Sequence, residues 1–441
     1  MRRPGRRHNN PQPVEKALET DTSLTHHGWE LAYIVPIALI LLMVIKRLTK
    51  GKQHPPHIPL TLSTKVFVAE CALQEDAMAG KVVAVTGTSS GVGYFVAAAA
   101  AQHNAAKVFL LNRPSARADA AAESIAAVAG PDCSVISVPC DLCDFSSVTA
   151  AAETILAKTS KSGLNGLCLN AGIMMAPDVR TKDRYDIQMQ TNHHAHVLLA
   201  SLLMPMLEKG TGRVTCTGSM SQYISFPPTG SKPLGDLDAR FFEPSEAGSL
   251  GGNAMPSAEE RYHQTKLGQV CFGMALAEKL TERKSGASAV CVDPGWAETN
   301  LTSNTLKCHS TNGSSLDTCL ISLPWAFFFR AMNATPPGLP GGACHSGPDA
   351  AASVLRAIFG TDVGNGDFIA PLYKSMAQRN GWGPPIKTFE AGKGIDGAGA
   401  DHSKSLIEKQ VNRDTAWEAS TAMLKNVTGS ANFFVKCKRK R

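Results

Sequence analysis

The stretch KVVAVTGTSSGVG at residues 81–93 decides the fold, because a short apolar run passes without a break into a glycine-rich loop. The run favours a buried β-strand, and the residues after Gly93 have helical periodicity. In such a unit Gly87 allows a tight turn, Gly91 lets the backbone approach a pyrophosphate, and Gly93 lets helix and strand pack closely. The helix N-terminus then faces the anion. The stretch therefore predicts a dinucleotide site at the end of the first strand of an α/β fold.

The rest of the chain repeats this alternation of apolar runs and helical patterns. Further strands are predicted at 107–112, 134–138, 164–170, 213–218 and 287–293. Helical periodicity lies between most of them, at 95–102, 118–128, 148–156, 197–207 and 267–280. Alternating strands and helices imply parallel pairing with right-handed crossovers, and hence a doubly wound parallel sheet, the Rossmann fold. Binding is then expected at the carboxyl ends of the strands.

Six more short motifs follow at the predicted strand ends or on the helices between them. They are Asp141-Leu142, Asn170-Ala171-Gly172, Asn192, Ser219, Tyr262 with Lys266, and Pro294-Gly295. In this order and spacing the chain resembles the short-chain dehydrogenase/reductase family over about residues 80–300. The resemblance implies cofactor contacts from Gly87, Ser89, Ser90, Gly91, Val92, Gly93, Arg113, Asp141, Leu142, Asn170, Ala171, Gly172, Lys266, Pro294 and Gly295.

Tyr262 and Lys266 have the spacing that carbonyl chemistry needs. Reduction of a carbonyl by hydride requires a proton donor, and a tyrosine with a pKa of about 10 is a weak base for the reverse reaction. Lys266 follows four residues later, so both side chains project from one face of a helix, and the ammonium is expected to lower the pKa of Tyr262. The resemblance implies that Lys266 also holds the nicotinamide ribose, that Ser219 hydrogen-bonds the substrate oxygen, and that Asn192 anchors a water in the proton relay.

The residues after the second predicted strand indicate the cofactor. An acidic side chain there would accept hydrogen bonds from the ribose 2′-hydroxyl of NAD, whereas this chain has Asn112-Arg113-Pro114. An arginine can clamp a 2′-phosphate by charge-assisted hydrogen bonds, so NADP(H) is predicted.

Three closely spaced histidines, His193, His194 and His196, raise the question of a metal site. Their neighbours are apolar, and the family that the chain resembles has no metal there. We therefore predict that they are packing histidines and that the site holds no metal.

Several short motifs indicate which branch of this family the chain resembles most. The run NHHAHVLL at 192–199, Arg113 and an enlarged segment before Tyr262 look like retinol dehydrogenases and protochlorophyllide reductases. Pro227-Pro228, the run PLGDL at 233–237 and the run WEAS at 417–420 are most similar to the light-dependent protochlorophyllide reductases. Those enzymes, however, carry a cysteine directly after Pro-Gly, where this chain has Trp296. The sequence favours an NADPH-dependent oxidoreductase acting on a lipophilic carbonyl or alcohol. A light-dependent protochlorophyllide reductase-like enzyme and a catalytically silent NADPH-binding scaffold at a membrane are the alternatives.

The ends of the chain differ in composition from its middle. Residues 1–79 are interpreted as a disordered tail, a hydrophobic anchor at about 31–45 and a linker, and 80–430 as one catalytic domain with an insert at 220–261 and a lid at 296–345. The lid contains the apolar run LISLPWAFFF at 320–329, which caps a pocket, dips into the membrane or forms part of the core. Residues 431–441 form a basic tail.

Charge and cysteine content limit the partners. Lys and Arg total 44 against 37 Asp and Glu, and the excess lies mostly at the termini and after the apolar run, without the aromatic interleaving of a nucleic-acid face. The basic residues after the run predict a catalytic domain that faces the cytosol, with the endoplasmic reticulum as the expected membrane and a plastid membrane as the alternative. The twelve cysteines form neither a zinc ribbon nor a disulfide framework. The expected partners are a lipophilic small molecule and a membrane; association into a homo-oligomer stays open.

Overall fold

The structure is a computed structural model that describes residue 73 and residues 76–219, 235–295, 297, 347–374, 380–389 and 406–434. The predicted anchor, the residues 220–234 of the insert, Trp296 and nearly all of the lid lie outside the described residues. Within the described residues, no helix combines the length and the apolar character needed to cross a membrane. The anchor and the lid stay predictions.

One eight-stranded sheet forms the centre of the fold. Its strands are β1 (Val82–Thr86), β2 (Lys107–Asn112), β3 (Ser134–Pro139), β4 (Gly166–Leu169), β5 (Arg213–Thr217), β6 (Ser288–Val292), β7 (Phe368–Lys374) and β8 (Asn380–Phe389). The order across the sheet is β3-β2-β1-β4-β5-β6-β7-β8. Strands β1 to β7 pair in parallel, and only β8 at the edge is antiparallel. The predicted Rossmann-type sheet is confirmed.

Helices cover both faces of this sheet. They are α1 (Gly91–Gln102), α2 (Ala116–Ala127), α3 (Phe145–Thr159), α4 (Ala195–Lys209), α5 (Met255–Glu282), α6 (Gly347–Phe359) and α7 (Gln410–Thr428). One apolar core joins α1 and α6 to the sheet, and a second joins α3, α4, α5 and α7 to its other face. Because both faces are covered, the central strands are buried along their whole length, as parallel strands require.

The C-terminal helix α7 completes the second core. Trp417 stacks on Phe272 of α5 with ring centroids 5.9 Å apart, and Phe433 lies 5.7 Å from Phe272. The hydroxyl of Ser201 on α4 donates to the carbonyl of Phe433 at 2.6 Å. Helix α7 and the residues that follow it, up to Phe433, are thereby packed against α4 and α5.

A buried ionic cluster fixes the start of α5. The side chain of Arg261 is fully buried, its Nε lies 3.1 Å from Oδ2 of Asp186, and its other nitrogens donate to the carbonyls of Gly252 and Ala176 at 2.8 Å. Asp178 accepts the N–H groups of Gly248 and Gly252. The second half of the predicted insert is therefore tied to the segment after β4, and its last residues belong to α5.

Candidate active site

The glycine loop after β1 forms a cradle that only small residues fit. A Cβ on Gly93 would lie 2.5 Å from both the side-chain nitrogen of Asn170 and the carbonyl oxygen of Gly87, and Gly87 itself has a φ of +75°. Gly91 also has a positive φ, +64°. The N-cap of α1, Ser90, makes no side-chain capping hydrogen bond, and the first turn holds no acidic residue. The first turn of α1 thus lacks a side-chain cap, and its backbone N–H groups could bind an anion such as a dinucleotide phosphate.

Asn112 at the end of β2 braces this cradle. Its Oδ1 accepts the N–H of Ser89 at 3.1 Å, and its Nδ2 donates to the hydroxyl of Thr88 at 2.6 Å. Arg113 follows outside the strand; burial raises the pKa of the nearby Cys143, and the charge of Arg113 acts against that rise. Because Asn112 is committed to the loop, Arg113 is the side chain at this strand end that is suited to a 2′-phosphate.

The predicted Asp141-Leu142 motif lies beside the same strand end. The N–H of Asp141 donates to the hydroxyl of Ser147 at 2.9 Å, and its Oδ1 accepts the N–H of Cys143 at 2.9 Å. Leu142 is buried. These contacts fix the loop between β3 and α3.

Thr86 joins the first and fourth strand ends. Its hydroxyl oxygen accepts the N–H groups of Asn170 and Ala171, both at 3.0 Å, and the side chain of Asn170 donates back to the carbonyl of Thr86 at 3.1 Å. The Asn170-Ala171-Gly172 motif is therefore held against the glycine loop.

Tyr262, Lys266 and Ser219 meet at the carboxyl end of β5. The hydroxyl of Tyr262 is hydrogen-bonded to that of Ser219, and Nζ of Lys266 lies 5.9 Å from the centroid of the Tyr262 ring. Nζ also donates to the carbonyl of Thr217 at 3.1 Å. A Cβ on Gly172 would lie 3.2 Å from Oδ1 of Asn192 and 3.6 Å from Nζ of Lys266, so the space beside Gly172 lies between these two side chains.

The electrostatics of this cluster differ from the sequence expectation. Burial raises the pKa of Tyr262 above its ordinary value; the hydrogen bond from Ser219 opposes this, and the charge of Asp293 adds to it. Burial lowers the pKa of Lys266 to about 8. The expected lowering of the Tyr262 pKa is therefore wrong as a net direction, because burial of the phenol outweighs the hydrogen bond from Ser219 that lowers it.

Asn192 clamps three segments together. It lies in a π-helical turn, Gln190–His194, that precedes α4. Its Oδ1 accepts the N–H of Ile173 at 2.8 Å, and its Nδ2 donates to the carbonyl of Ile173 at 2.9 Å and to the hydroxyl of Thr265 at 3.0 Å. Both side-chain hydrogens are thus used within the protein. A role for Asn192 in a proton relay stays a prediction.

The three histidines next to Asn192 are all buried and all bonded to protein groups. His193 contacts Gln269 at 3.1 Å and Ser420 at 2.9 Å, and His194 contacts the carbonyl of Phe242 at 2.9 Å. Burial lowers the pKa of His193 to about 4, so this imidazole is neutral near pH 7. These contacts support the packing role that the sequence indicates.

His196 links the clamp to the glycine loop. Its Nδ1 lies 3.1 Å from the carbonyl of Asn192, which can only accept, so Nδ1 carries the hydrogen. Burial, together with the charge of Lys266, lowers the pKa of His196 to about 3, and the imidazole is neutral. Nε2 therefore accepts the hydroxyl hydrogen of Thr86 at 3.1 Å. Sequence reasoning gave Thr86 and His196 no role in the site.

The chain also matches known proteins. The model of the family described as short chain dehydrogenase matches residues 81–229. Retinol dehydrogenase 11 of Mus musculus is 31% identical over 248 residues, which cover 56% of this chain and 69% of that protein. The chain belongs to the short-chain dehydrogenase/reductase family. The expected oxidoreductase family and its retinol dehydrogenase-like branch are thereby confirmed.

Two further matches are a relative in sequence and a solved structure that shows the fold alone. An uncharacterized oxidoreductase of Schizosaccharomyces pombe is 33% identical over 232 residues, covering 51% of this chain and 62% of that protein, which is less than two thirds of its length. The crystal structure of an uncharacterized protein from Mycobacterium paratuberculosis shares the fold, with a TM-score of 0.52, 23% identity, and coverage of 79% of this chain and 94% of that chain.

The structure describes the predicted site residues, and they lie at one edge of the sheet. The motifs follow the ends of β1, β3, β4, β5 and β6, and parallel strands end at the same edge. Gly295, in the last motif, has a φ of +75°, which a glycine adopts without strain. Sequence reasoning missed Asp293, a buried acid directly before Pro294-Gly295, although an acidic residue in an apolar strand end was visible in the sequence.

Proposed function

We propose that this chain is an NADPH-dependent oxidoreductase that transfers a hydride between nicotinamide and a lipophilic carbonyl or alcohol, with Tyr262 as general acid and base. The observation that carries the proposal is the buried hydrogen bond between Tyr262 and Ser219, with Lys266 beside it, next to a glycine cradle that fits a dinucleotide. The bound cofactor would supply or accept the hydride. The residues of the chain supply the proton and the position of the substrate oxygen.

The proton step follows from the protonation state of Tyr262. Because burial raises its pKa, the phenol is protonated near pH 7 and is ready to donate to the oxygen of a carbonyl substrate. Ser219 shares a hydrogen bond with the phenol and is placed to contact the same oxygen. In the reverse direction Tyr262 must lose its proton, and a positive Lys266 favours the phenolate that results.

NADPH is preferred over NADH in this proposal. The second strand ends in Asn112 and Arg113, with no carboxylate to accept the 2′-hydroxyl and repel a 2′-phosphate. The amide of Asn112 is already bonded to Ser89 and Thr88, which leaves Arg113 as the charged group. A higher kcat/KM with NADPH than with NADH is the expected result.

The substrate class is proposed from the relatives and from the sequence. Two of the matched proteins, at 31% and 29% identity, are retinol dehydrogenases 11 and 12 of Mus musculus. Retinoid alcohols and aldehydes are therefore the first substrates to test. The similarity to light-dependent protochlorophyllide reductases rests partly on the run WEAS at 417–420, and the structure uses Trp417 and Ser420 of that run for packing.

The test is NADPH consumption by the full-length protein with a panel of apolar carbonyls, in darkness and in light. Tyr262→Phe should lower kcat by about 10²–10⁴-fold, the usual contribution of a general acid, while NADPH still binds. A scaffold would keep its cellular role in this variant, and Tyr185→Phe is a control because Tyr185 is a buried core tyrosine that is not one of the proposed site residues. Turnover by Tyr262→Phe at the wild-type rate would refute the assignment.

Membrane attachment and a cytosolic catalytic domain are proposed from the sequence alone, from the apolar run at 31–45 and the basic residues after it. Sedimentation of the full-length protein with membranes tests the attachment. Digestion of its catalytic domain by protease added outside sealed vesicles tests the orientation.

A further inference from the structure

Asp293 is a buried acid that the proposed mechanism does not use. It lies directly after β6, it is fully buried, and its N–H donates to the carbonyl of Ile369 at 2.9 Å. Its Oδ1 accepts the N–H of Gly295 at 2.8 Å. Its Oδ2 is buried and has no hydrogen-bond partner among the residues that the structure describes. An ionised carboxylate in this position is costly unless an opposite charge compensates it.

Lys266 supplies that opposite charge. The ammonium lowers the pKa of Asp293, and the carboxylate raises the pKa of Lys266, so each group favours the ionised form of the other. Burial acts against both, and the pKa of Asp293 rises to about 7 while that of Lys266 falls to about 8. Lys266 has three hydrogens and one described acceptor, the carbonyl of Thr217. That carbonyl belongs to the residue of β5 that pairs with Val292, the last residue of β6 before Asp293, so the strand register brings the ammonium and the carboxylate to neighbouring strand ends.

Among the residues that the structure describes, Lys266 is the charged group that shifts the pKa of Asp293. The titratable groups on the elements packed around β6 are Tyr262, Cys216 and Cys271 on β5 and α5, each with a raised pKa, neutral His196 on α4, exposed Asp349 on α6, and Asp367 beside β7, which lies 3.2 Å from Lys387. The charge of Asp293 therefore acts on the pKa values of two site residues, Lys266 and Tyr262.

We propose that Asp293 is a positioning residue of this site: its buried carboxylate is the counter-charge that keeps Lys266 protonated, and it thereby sets the pH range in which Tyr262 exchanges a proton. The proposal rests on the proposed function for its catalytic consequence. The charge coupling itself is a property of the protein without substrate.

The sign of the effect follows from the charges. Removing the carboxylate lowers the pKa of Lys266, because a neighbouring negative charge no longer favours the ammonium, and it lowers the pKa of Tyr262, because the phenolate loses a repulsive neighbour. Alcohol oxidation needs the phenolate and the ammonium together. Because the pKa of Lys266, about 8, lies below the raised pKa of Tyr262, the rising limb of the pH profile reports Lys266 and the falling limb reports Tyr262. Asp293→Asn should therefore move both limbs to lower pH, by about 1 in pH or more for a close opposite charge.

The first test needs no substrate. Infrared difference spectra of the full-length protein, recorded across a pH series, follow the carbonyl stretch of a protonated carboxyl, and Asp293→Asn identifies the band of Asp293. The band should titrate near pH 7, the pKa of Asp293. In Lys266→Met its midpoint should rise, because the ammonium that lowers the pKa of Asp293 is gone. An unchanged midpoint in Lys266→Met would overturn the proposal.

The second test is the pH profile of kcat/KM for retinol oxidation with NADP⁺. Asp293→Asn should move both limbs to lower pH, and a displacement of about 1 in pH raises the activity on the acid side of the rising limb about tenfold. Asp367→Asn is the matched control, because Asp367 is similarly buried but pairs with Lys387. Asp293→Ser gives a second neutral variant if the first folds poorly. Profiles of the Asp293 variants that superimpose on the wild type would sink the proposal.

The two tests separate this proposal from the proposed function. Loss of turnover with every carbonyl of the panel would contradict the oxidoreductase assignment. In that case a raised infrared midpoint in Lys266→Met would still support the pairing of Asp293 with Lys266.

Discussion

Replacing Arg261 with methionine should strongly destabilise the protein, although Arg261 contacts no reacting group. Its guanidinium is fully buried, it lies 3.1 Å from a carboxylate oxygen of Asp186, and it donates to two backbone carbonyls at 2.8 Å. Methionine fills a similar volume without any of these bonds. The substitution leaves the Asp186 carboxylate buried, with Arg180 at 3.6 Å as the remaining cation.

The magnitude follows from the desolvated charge. Removing one partner of a buried ion pair costs about 3–5 kcal/mol, because the other charge stays buried. A typical free energy of unfolding is about 5–15 kcal/mol, so a large fraction of it is at stake. Burial already raises the pKa of Asp186, and Arg261 opposes that rise. In Arg261→Met the pKa of Asp186 should rise further, and part of the loss should be recovered at low pH, where Asp186 is protonated.

Urea unfolding followed by far-UV circular dichroism measures the effect. With a slope of about 3 kcal/mol per M, the midpoint should fall by at least about 1 M. Arg184→Met is the matched control, because Arg184 and its partner Glu246 are exposed, and it should change stability by less than about 0.5 kcal/mol. Arg261→Met combined with Asp186→Asn should be more stable than Arg261→Met alone. Equal midpoints for Arg261→Met and Arg184→Met would refute the reasoning.

Two further predictions concern the cradle and the histidines. Gly93→Ala should weaken NADPH binding by at least about 100-fold, measured by NADPH fluorescence, because the new Cβ lies 2.5 Å from the side-chain nitrogen of Asn170 and from the carbonyl oxygen of Gly87. Gly286→Ala, with 3.4 Å to its nearest atom, should bind normally. The buried imidazoles of His193, His194 and His196 have lowered pKa values, so below about pH 6.5 the unfolded chain takes up protons first and stability falls as pH falls. The three histidines together should lower the free energy of unfolding by about 4 kcal/mol for each decrease of 1 in pH. His193→Gln should reduce this slope by about a third, and an unchanged slope would contradict the prediction.

The sheet and the position of the site could be predicted because both depend on local patterns. Six apolar runs gave six of the parallel strands to within two residues, and the motifs at their ends placed the cofactor cradle and the Tyr262 cluster. The last two strands were harder. β8 contains Pro384 and Pro385, which an edge strand tolerates and which make it look like a loop.

The remaining features depend on contacts between distant residues. Helix α5 begins twelve residues before its apolar pattern, because Arg261 and other polar residues there are buried through ion pairs that no periodicity shows. The pKa direction of Tyr262 also required the structure, since burial and the charge of Asp293, which both raise it, cannot be read from the helical spacing. Local spacing in the sequence identified which residues lie together in the site, but not which interaction determines their pKa values.

The contact between His193 and Ser420 has a consequence for synthesis of the chain. The two residues are separated by 227 positions, and His193 is the immediate neighbour of Asn192. Once Lys266 has emerged from the ribosome, the nascent chain contains every proposed catalytic side chain. Helix α7, which contacts His193 through Ser420, has not yet been synthesised at that point. A protein truncated before Gln410 should therefore retain the cofactor cradle and lose the rigid placement of Asn192.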